Sequence, residues 1–223
     1  FCGGETIVKS EETIQRLAQF HVGTILDYSV EGAETEEGFD NTANEILRTF
    51  DKAKSNPAVP FCVFKLTGMA EFSLLEKIQS GGSLSEMEKV AFEHVKSRVD
   101  KICSKAFELK VPILIDAEDS WIQNTIDALV YEMMEKYNKE QAIVFNTYQM
   151  YRVDMLNKLK EAFHRAAMLG YYLGVKMVRG AYMEKERERA EKMNYPDPIH
   201  LSKEATDDCY NKGLAFCLDN KQR

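Results

Sequence analysis

Residues 175–187 read Val-Lys-Met-Val-Arg-Gly-Ala-Tyr-Met-Glu-Lys-Glu-Arg. The segment starts as a buried strand, with Val175, Met177 and Val178 apolar and Gly174 just before them. It stops in Gly180-Ala181, two small residues that let something approach the backbone closely, and a charged helical run begins at Glu184. A strand that ends in small residues and sets Lys176, Arg179 and Tyr182 near its carboxyl end has the build of a ligand site in an α/β enzyme. The same letters describe an ordinary strand-to-helix turn with solvated charges, and the stretch alone favours that plainer reading. Four other strand ends change the balance.

Upstream, apolar strands are expected at 24–30, 60–66, 111–115 and 142–145. Helical stripes separate them: one from Ser10 to Phe20, one through Phe39, Ile46 and Phe50, and one opened by a Ser85/Glu88 capping box. Ile122, Ile126, Val130 and Met133 mark the next, and Met155, Leu159 and Ala162 the one that stops at Gly170. The segment 69–82 is expected to be a long loop. A charged helix through Met193 and a last helix from Ser202 to Leu218 follow the fifth strand. Each crossover contains a helix, so the strands should run parallel. Periodicity leaves two architectures open, a doubly wound sheet and an incomplete (β/α)8 barrel, although Tyr28-Ser-Val-Glu-Gly after the first strand is no GxGxxG phosphate loop.

A hydrophobic fraction of 44% supplies a core, and a net charge of −7 without a basic stripe argues against a nucleic-acid surface. The five cysteines are scattered and lack a CxxC pair, which reads as reduced thiols. The four histidines show no metal-ligand spacing. No apolar run approaches the roughly 20 residues that cross a bilayer. The chain begins at Phe1, so an amino-terminal segment is expected to be missing.

Collected by position, the strand ends offer Asp27 and Glu31, then Lys65, then Asp116 and Glu118, then Asn146 and Gln149, then Lys176, Arg179 and Tyr182. A closed parallel sheet would bring Lys65, Asp116, Asn146 and Lys176 to one rim, facing one another. Lys65 interrupts an apolar strand, so it either pairs internally with Asp27 or Asp116 or aims at a ligand. Asn146 and Gln149 either hydrogen-bond a cofactor or cap the following helix. Asp119 reads as a helix cap, and Glu184, Glu186, Arg187, Glu188 and Arg189 as a solvated face with i,i+4 pairs.

Thr-Ile-Leu-Asp-Tyr-Ser-Val-Glu (24–31), Phe-Lys-Leu-Thr-Gly (64–68), Leu-Ile-Asp-Ala-Glu-Asp-Ser-Trp (114–121), Val-Phe-Asn-Thr-Tyr-Gln (144–149) and Val-Arg-Gly-Ala-Tyr-Met-Glu-Lys-Glu (178–186) resemble, in order, the strand-end motifs of proline dehydrogenases. The resemblance implies a modified (β/α)8 TIM-like barrel, present over 1–223 only as its first five strands and their helices. The carboxylate-clamping arginine pair of the family would then lie beyond Arg223, and the fragment made alone is expected to be inactive and to hold FAD weakly. It implies FAD as cofactor, L-proline as substrate and Δ1-pyrroline-5-carboxylate as product, with hydride passing to flavin N5 and electrons to a membrane quinone. It implies catalytic roles for Lys65 (substrate carboxylate), Asp116 (supporting a residue that touches the substrate, or handling a proton), Tyr182 (proline ring) and Glu31 (partner of a gating arginine). Asn146, Lys176, Arg179, Gly180 and Ala181 would contact the cofactor, with Lys176 beside N5, where many bacterial bifunctional members carry arginine. Peripheral membrane contact is implied, at the cytoplasmic face of the bacterial inner membrane, with the matrix side of the mitochondrial inner membrane as the alternative. A hydroxyproline dehydrogenase, a non-catalytic binding module and a TIM-barrel enzyme acting on phosphate-bearing substrates are the competing readings.

Overall fold

The computed structural model describes residues 4, 6–27 and 34–221. The chain divides into two compact units, Phe1–Asp116 and Ala117–Arg223, each built of parallel strands followed by helices.

The first unit runs α1 (Glu11–Ala18), β1 (Ile25–Asp27), α2 (Glu36–Ala53), β2 (Phe61–Phe64), a 3-10 turn (Leu66–Gly68), α3 (Phe72–Gln79), α4 (Glu86–Leu109) and β3 (Ile113–Ile115). β1, β2 and β3 pair in parallel, with Asp27 opposite Val63 and Val63 opposite Leu114. Successive strand residues point to opposite faces. The Cys62 thiol meets the Thr49 hydroxyl of α2, which identifies the face that α2 covers as that of Cys62, Phe64, Ile113 and Ile115. All four are essentially inaccessible to solvent. The capping box at α4 forms as expected: Ser85 Oγ accepts from the Glu88 amide, and the Glu88 carboxylate accepts from the Ser85 amide. The expected loop 69–82 instead contains α3, whose Leu74 and Leu75 are buried. That helix has two turns, too short for its apolar periodicity to stand out.

Arg98 ties this unit together. It is buried on α4, and its guanidinium donates to the Asp40 and Glu36 carboxylates of α2 and to the Met69 carbonyl ahead of α3. A buried cation needs such a ring of acceptors.

The second unit runs α5 (Ser120–Tyr137), β4 (Val144–Gln149), α6 (Met155–Leu169), β5 (Gly174–Val178), α7 (Met183–Met193) and α8 (Lys203–Asp219). β4 begins two residues later than expected and extends through Gln149, so the polar tail Asn146–Gln149 belongs to the strand, not to a loop beyond it. β4 and β5 pair in parallel, with Asn146 opposite Val175 and Thr147 opposite Lys176. Tyr148, Met150, Val175 and Met177 pack with Leu159 of α6 and Cys209 of α8. That fixes one face of this strand pair as the helix-covered one. Gly170 closes α6 in the left-handed conformation (φ 68°), as its position suggested.

Asn138 stitches the entry to both strands. Fully buried at the end of α5, it donates from Nδ2 to the Val144 and Tyr172 carbonyls and accepts at Oδ1 from the Ile143 and Val144 amides. Among the described residues no helix is long and apolar enough to cross a membrane, and Cys62, Cys103, Cys209 and Cys217 are free thiols. Cys2 lies outside the described residues.

Candidate active site

In the first unit, alternation carries the parity of Val63 to Lys65 and that of Leu114 to Asp116. Asp27, opposite Val63, has the same parity. All three therefore leave the sheet on the face away from α2. The Asp116 amide donates to the Phe64 carbonyl at 2.9 Å, which sets Asp116 beside Lys65 at the strand ends. Lys65 itself has an extended backbone and is half-buried where β2 passes into the 3-10 turn. Glu31 lies outside the described residues.

In the second unit, Lys176 shares its face with Thr147, Gln149 and Val178, opposite the core packed on α6 and α8. Asn146 does not. Its Nδ2 donates to Asp127 Oδ1 of α5 at 2.9 Å, and its Oδ1 accepts from the Thr147 amide at 3.0 Å. The expectation that Asn146 and Lys176 look toward one another therefore fails. Once β4 is extended through this tail, the strand register puts the two side chains on opposite faces. Nor does Gln149 cap the next helix. It is 2% exposed, donates to the Glu118 carbonyl at 2.8 Å and accepts from the Ala181 amide at 3.2 Å.

Arg179, Gly180, Ala181 and Tyr182 come together along one cavity of about 780 Å³, which Tyr151 and residues of the 200–206 segment also line. Gly180 has φ +137° and lies flat on the Tyr151 ring. A Cβ there would fall about 2.5 Å from ring carbons, inside van der Waals contact. Tyr151 and His200, both on the cavity wall, each carry a buried polar atom: Tyr151 Oη, beside the Tyr182 backbone, and His200 Nε2, which has no hydrogen-bond partner. Burial first, and the nearby Glu186 charge second, hold the Tyr151 hydroxyl protonated well above the usual phenol range. Arg179 is half-exposed, pairs with Asp207, and sets its guanidinium 4.7 Å over the Tyr210 ring. Hydrogen bonds from Lys203 and then Arg179 hold the Asp207 carboxyl below its ordinary value. Glu184, Lys185, Arg187, Lys203 and Ser202 also line the cavity, and its cations are paired with carboxylates: Arg179 and Lys203 with Asp207, Lys185 with Asp119 and Arg187 with Asp197.

The charged run after Tyr182 is not a uniformly solvated face. Glu186 is 0% exposed and accepts from the Ser120 amide at 2.7 Å and the Ser120 hydroxyl at 2.6 Å. Asp119 stands at the α5 N-cap but makes no side-chain cap, because its Oδ2 takes Lys185 at 2.6 Å. Arg189 stacks 4.3 Å from the Trp121 ring, and Arg187 reaches Asp197 and the His200 carbonyl. Tyr151, His200, Glu186 and Asp127 were missed by the sequence reading. None interrupts a periodic pattern, and nothing local marks a helical glutamate as the cap of another helix.

Parallel βα repeats with polar groups gathered at the strand ends define an α/β fold of the TIM-barrel-like class. PutA from Bdellovibrio bacteriovorus, solved after inactivation by N-propargylglycine, shares that fold over 100% of this chain and 24% of its own, with a TM-score of 0.84 and 16% identity. The chain belongs to the proline dehydrogenase family, whose profile, described as Proline dehydrogenase, matches residues 10–223. It is 35% identical over 98% of its length to mitochondrial proline dehydrogenase 1 of Dictyostelium discoideum, covering 45% of that protein. It is 30% identical over 97% of its length to the carbapenem antibiotics biosynthesis protein CarD of Pectobacterium carotovorum, covering 56% of it. The chain thus spans about half the length of these curated relatives.

Proposed function

We propose that the chain forms part of an FAD-dependent enzyme that oxidises L-proline to Δ1-pyrroline-5-carboxylate and passes the electrons to a membrane quinone. The observation that carries this reading is that Asp27, Lys65 and Asp116 share the face turned away from α2, at strand ends of a chain in the proline dehydrogenase family. A buried zwitterion needs a cation for its carboxylate. Lys65 supplies it, while Asp116 beside it orients that ammonium or handles a proton. Tyr182 meets the ring, and Glu31 keeps its proposed role at the gate.

FAD, when bound, supplies the redox chemistry by accepting the hydride. The residues fit such a group. The cavity is lined by charged and hydroxyl-bearing side chains, Gly180 presents bare backbone against Tyr151, and the buried His200 Nε2 on a lining residue has no hydrogen-bond partner. Arg179, Gly180 and Ala181 would hold it there, and Lys176 would place a positive charge where negative charge develops. Asn146 would act indirectly, through Asp127 and the β4 backbone.

In the full-length enzyme under anaerobic conditions, L-proline is expected to bleach the flavin absorbance. K65A should lower kcat/KM roughly 100-fold, as loss of a charge-assisted hydrogen bond of about 2–3 kcal/mol implies, and mostly through KM. A wild-type flavin left oxidised by proline ends this reading. The second reading is a hydroxyproline dehydrogenase. It draws on the Xenopus laevis protein of that name, 28% identical over 98% of this chain; rates on trans-4-hydroxyproline against proline decide between them. Several relatives, including those of Dictyostelium and Arabidopsis, are named as mitochondrial. We therefore favour peripheral contact at the matrix side of the mitochondrial inner membrane over the bacterial membrane.

A further inference from the structure

We infer that Glu186 is a positioning residue: by capping α5 from the first turn of α7, it fixes the Arg179–Tyr182 turn that lines the cavity. This rests on the functional reading above and adds a residue to it.

Two neighbouring residues at the start of α7 grip two neighbouring residues at the start of α5. Lys185 binds Asp119, and Glu186 takes both the amide and the hydroxyl of Ser120. The amides at a helix start carry partial positive charge and lack intrahelical acceptors. A carboxylate supplied by another helix satisfies the first of them, that of Ser120, which frees Asp119 from capping. Complete burial of Glu186 makes the arrangement costly to break, since the carboxylate would be left without donors. Between this latch and β5 lies only a short turn, itself held at two further points. The Tyr151 amide donates to the Arg179 carbonyl at 2.6 Å, and the Ala181 amide to Gln149. The turn is therefore pinned at both ends and in the middle. Lys185 Nζ also sits 6.0 Å from the Tyr182 ring centroid, so the latch reaches the side chain proposed to meet the substrate.

The test uses the full-length enzyme with E186A, E186Q, S120A and the E186A/S120A double variant. Backbone amide exchange read at residues 180–183 is expected to accelerate at least tenfold in E186A, with α6 amides unchanged. The KM for proline should rise about tenfold with kcat within twofold of wild type. E186Q keeps one acceptor and should fall between wild type and E186A, while the double variant should match E186A instead of adding to it. Unchanged exchange at 180–183, uniformly faster exchange everywhere, or faster local exchange with KM unmoved each overturns the proposal. A wild-type enzyme inert toward proline refutes the functional reading instead, and the exchange data still decide whether the latch sets the turn.

Discussion

Lys65 owes its prominence in the sequence to its neighbours: a cation after four apolar strand residues must find an acceptor or a ligand. The structure adds that its face is the one α2 leaves uncovered, shared with Asp27 and Asp116. Asn146 shows the opposite case, since its chemistry was legible but its direction was not. Its partner Asp127 is partly buried, and desolvation raises its pKa above the ordinary 3.8 although Asn146 and Gln123 hydrogen bonds oppose the shift. The folded state thus holds this proton more tightly than the unfolded chain. The residue's contribution is full below 3.8 and declines as pH rises through the folded-state value. D127N, which keeps the oxygen that accepts both amides, is expected to gain melting temperature over wild type at pH 8 and to lose that advantage near pH 4. An advantage that grows on acidification would contradict the assignment. Burial likewise pushes the Cys62 thiol up to about 11, against a weaker opposing bond from Thr49. In the native protein at pH 8 Cys62 should resist iodoacetamide and react once urea unfolds the chain, as peptide mapping by mass spectrometry would show.

At the level of elements, the strands are held by what lies between them as much as by their ladders. Asn138 satisfies four backbone groups at the entries to β4 and β5, all in a buried position. N138A would strand those donors and acceptors, so urea denaturation should show a loss of about 3–4 kcal/mol. A loss below 1 kcal/mol would mean that water replaces the side chain. The helices divide similarly. The Ser85/Glu88 box could be read from spacing because both partners are local. The cap on α5 could not, because its carboxylate arrives from 66 residues downstream.

For the molecule as a whole, the lowered carboxylates set the acid limit. Hydrogen bonds from Lys77 and then Ser85 bring Glu88 down to about 2. Burial works against the ionised forms of Glu36 and Asp154, but Arg98 and Arg152 outweigh it, so both end below their ordinary values. Such groups contribute stability that is fully present above their unfolded values, near 4.5 for Glu88, and lost as pH falls toward the folded ones. The melting temperature should therefore be nearly level from pH 7 to about 5 and drop steeply between about 4.5 and 2. A melting temperature that rose on acidification would show that other groups dominate.

By itself the amino-acid sequence determined the alternation of strands and helices, their parallel sense, the strand-end motifs and hence the family. Each of these depends on residues close together in the chain or on the order of short motifs. It did not determine how far β4 extends or its register against β5, and with that which face each polar side chain takes; a shift of register by one residue turns every side chain to the other face. Tertiary structure decided that Asn146 turns to Asp127, that Gln149 braces Ala181, and that Glu186, in a run of charges that reads as solvated, is enclosed as the cap of α5. These bonds join residues far apart along the chain, and only folding brings the donor to the acceptor.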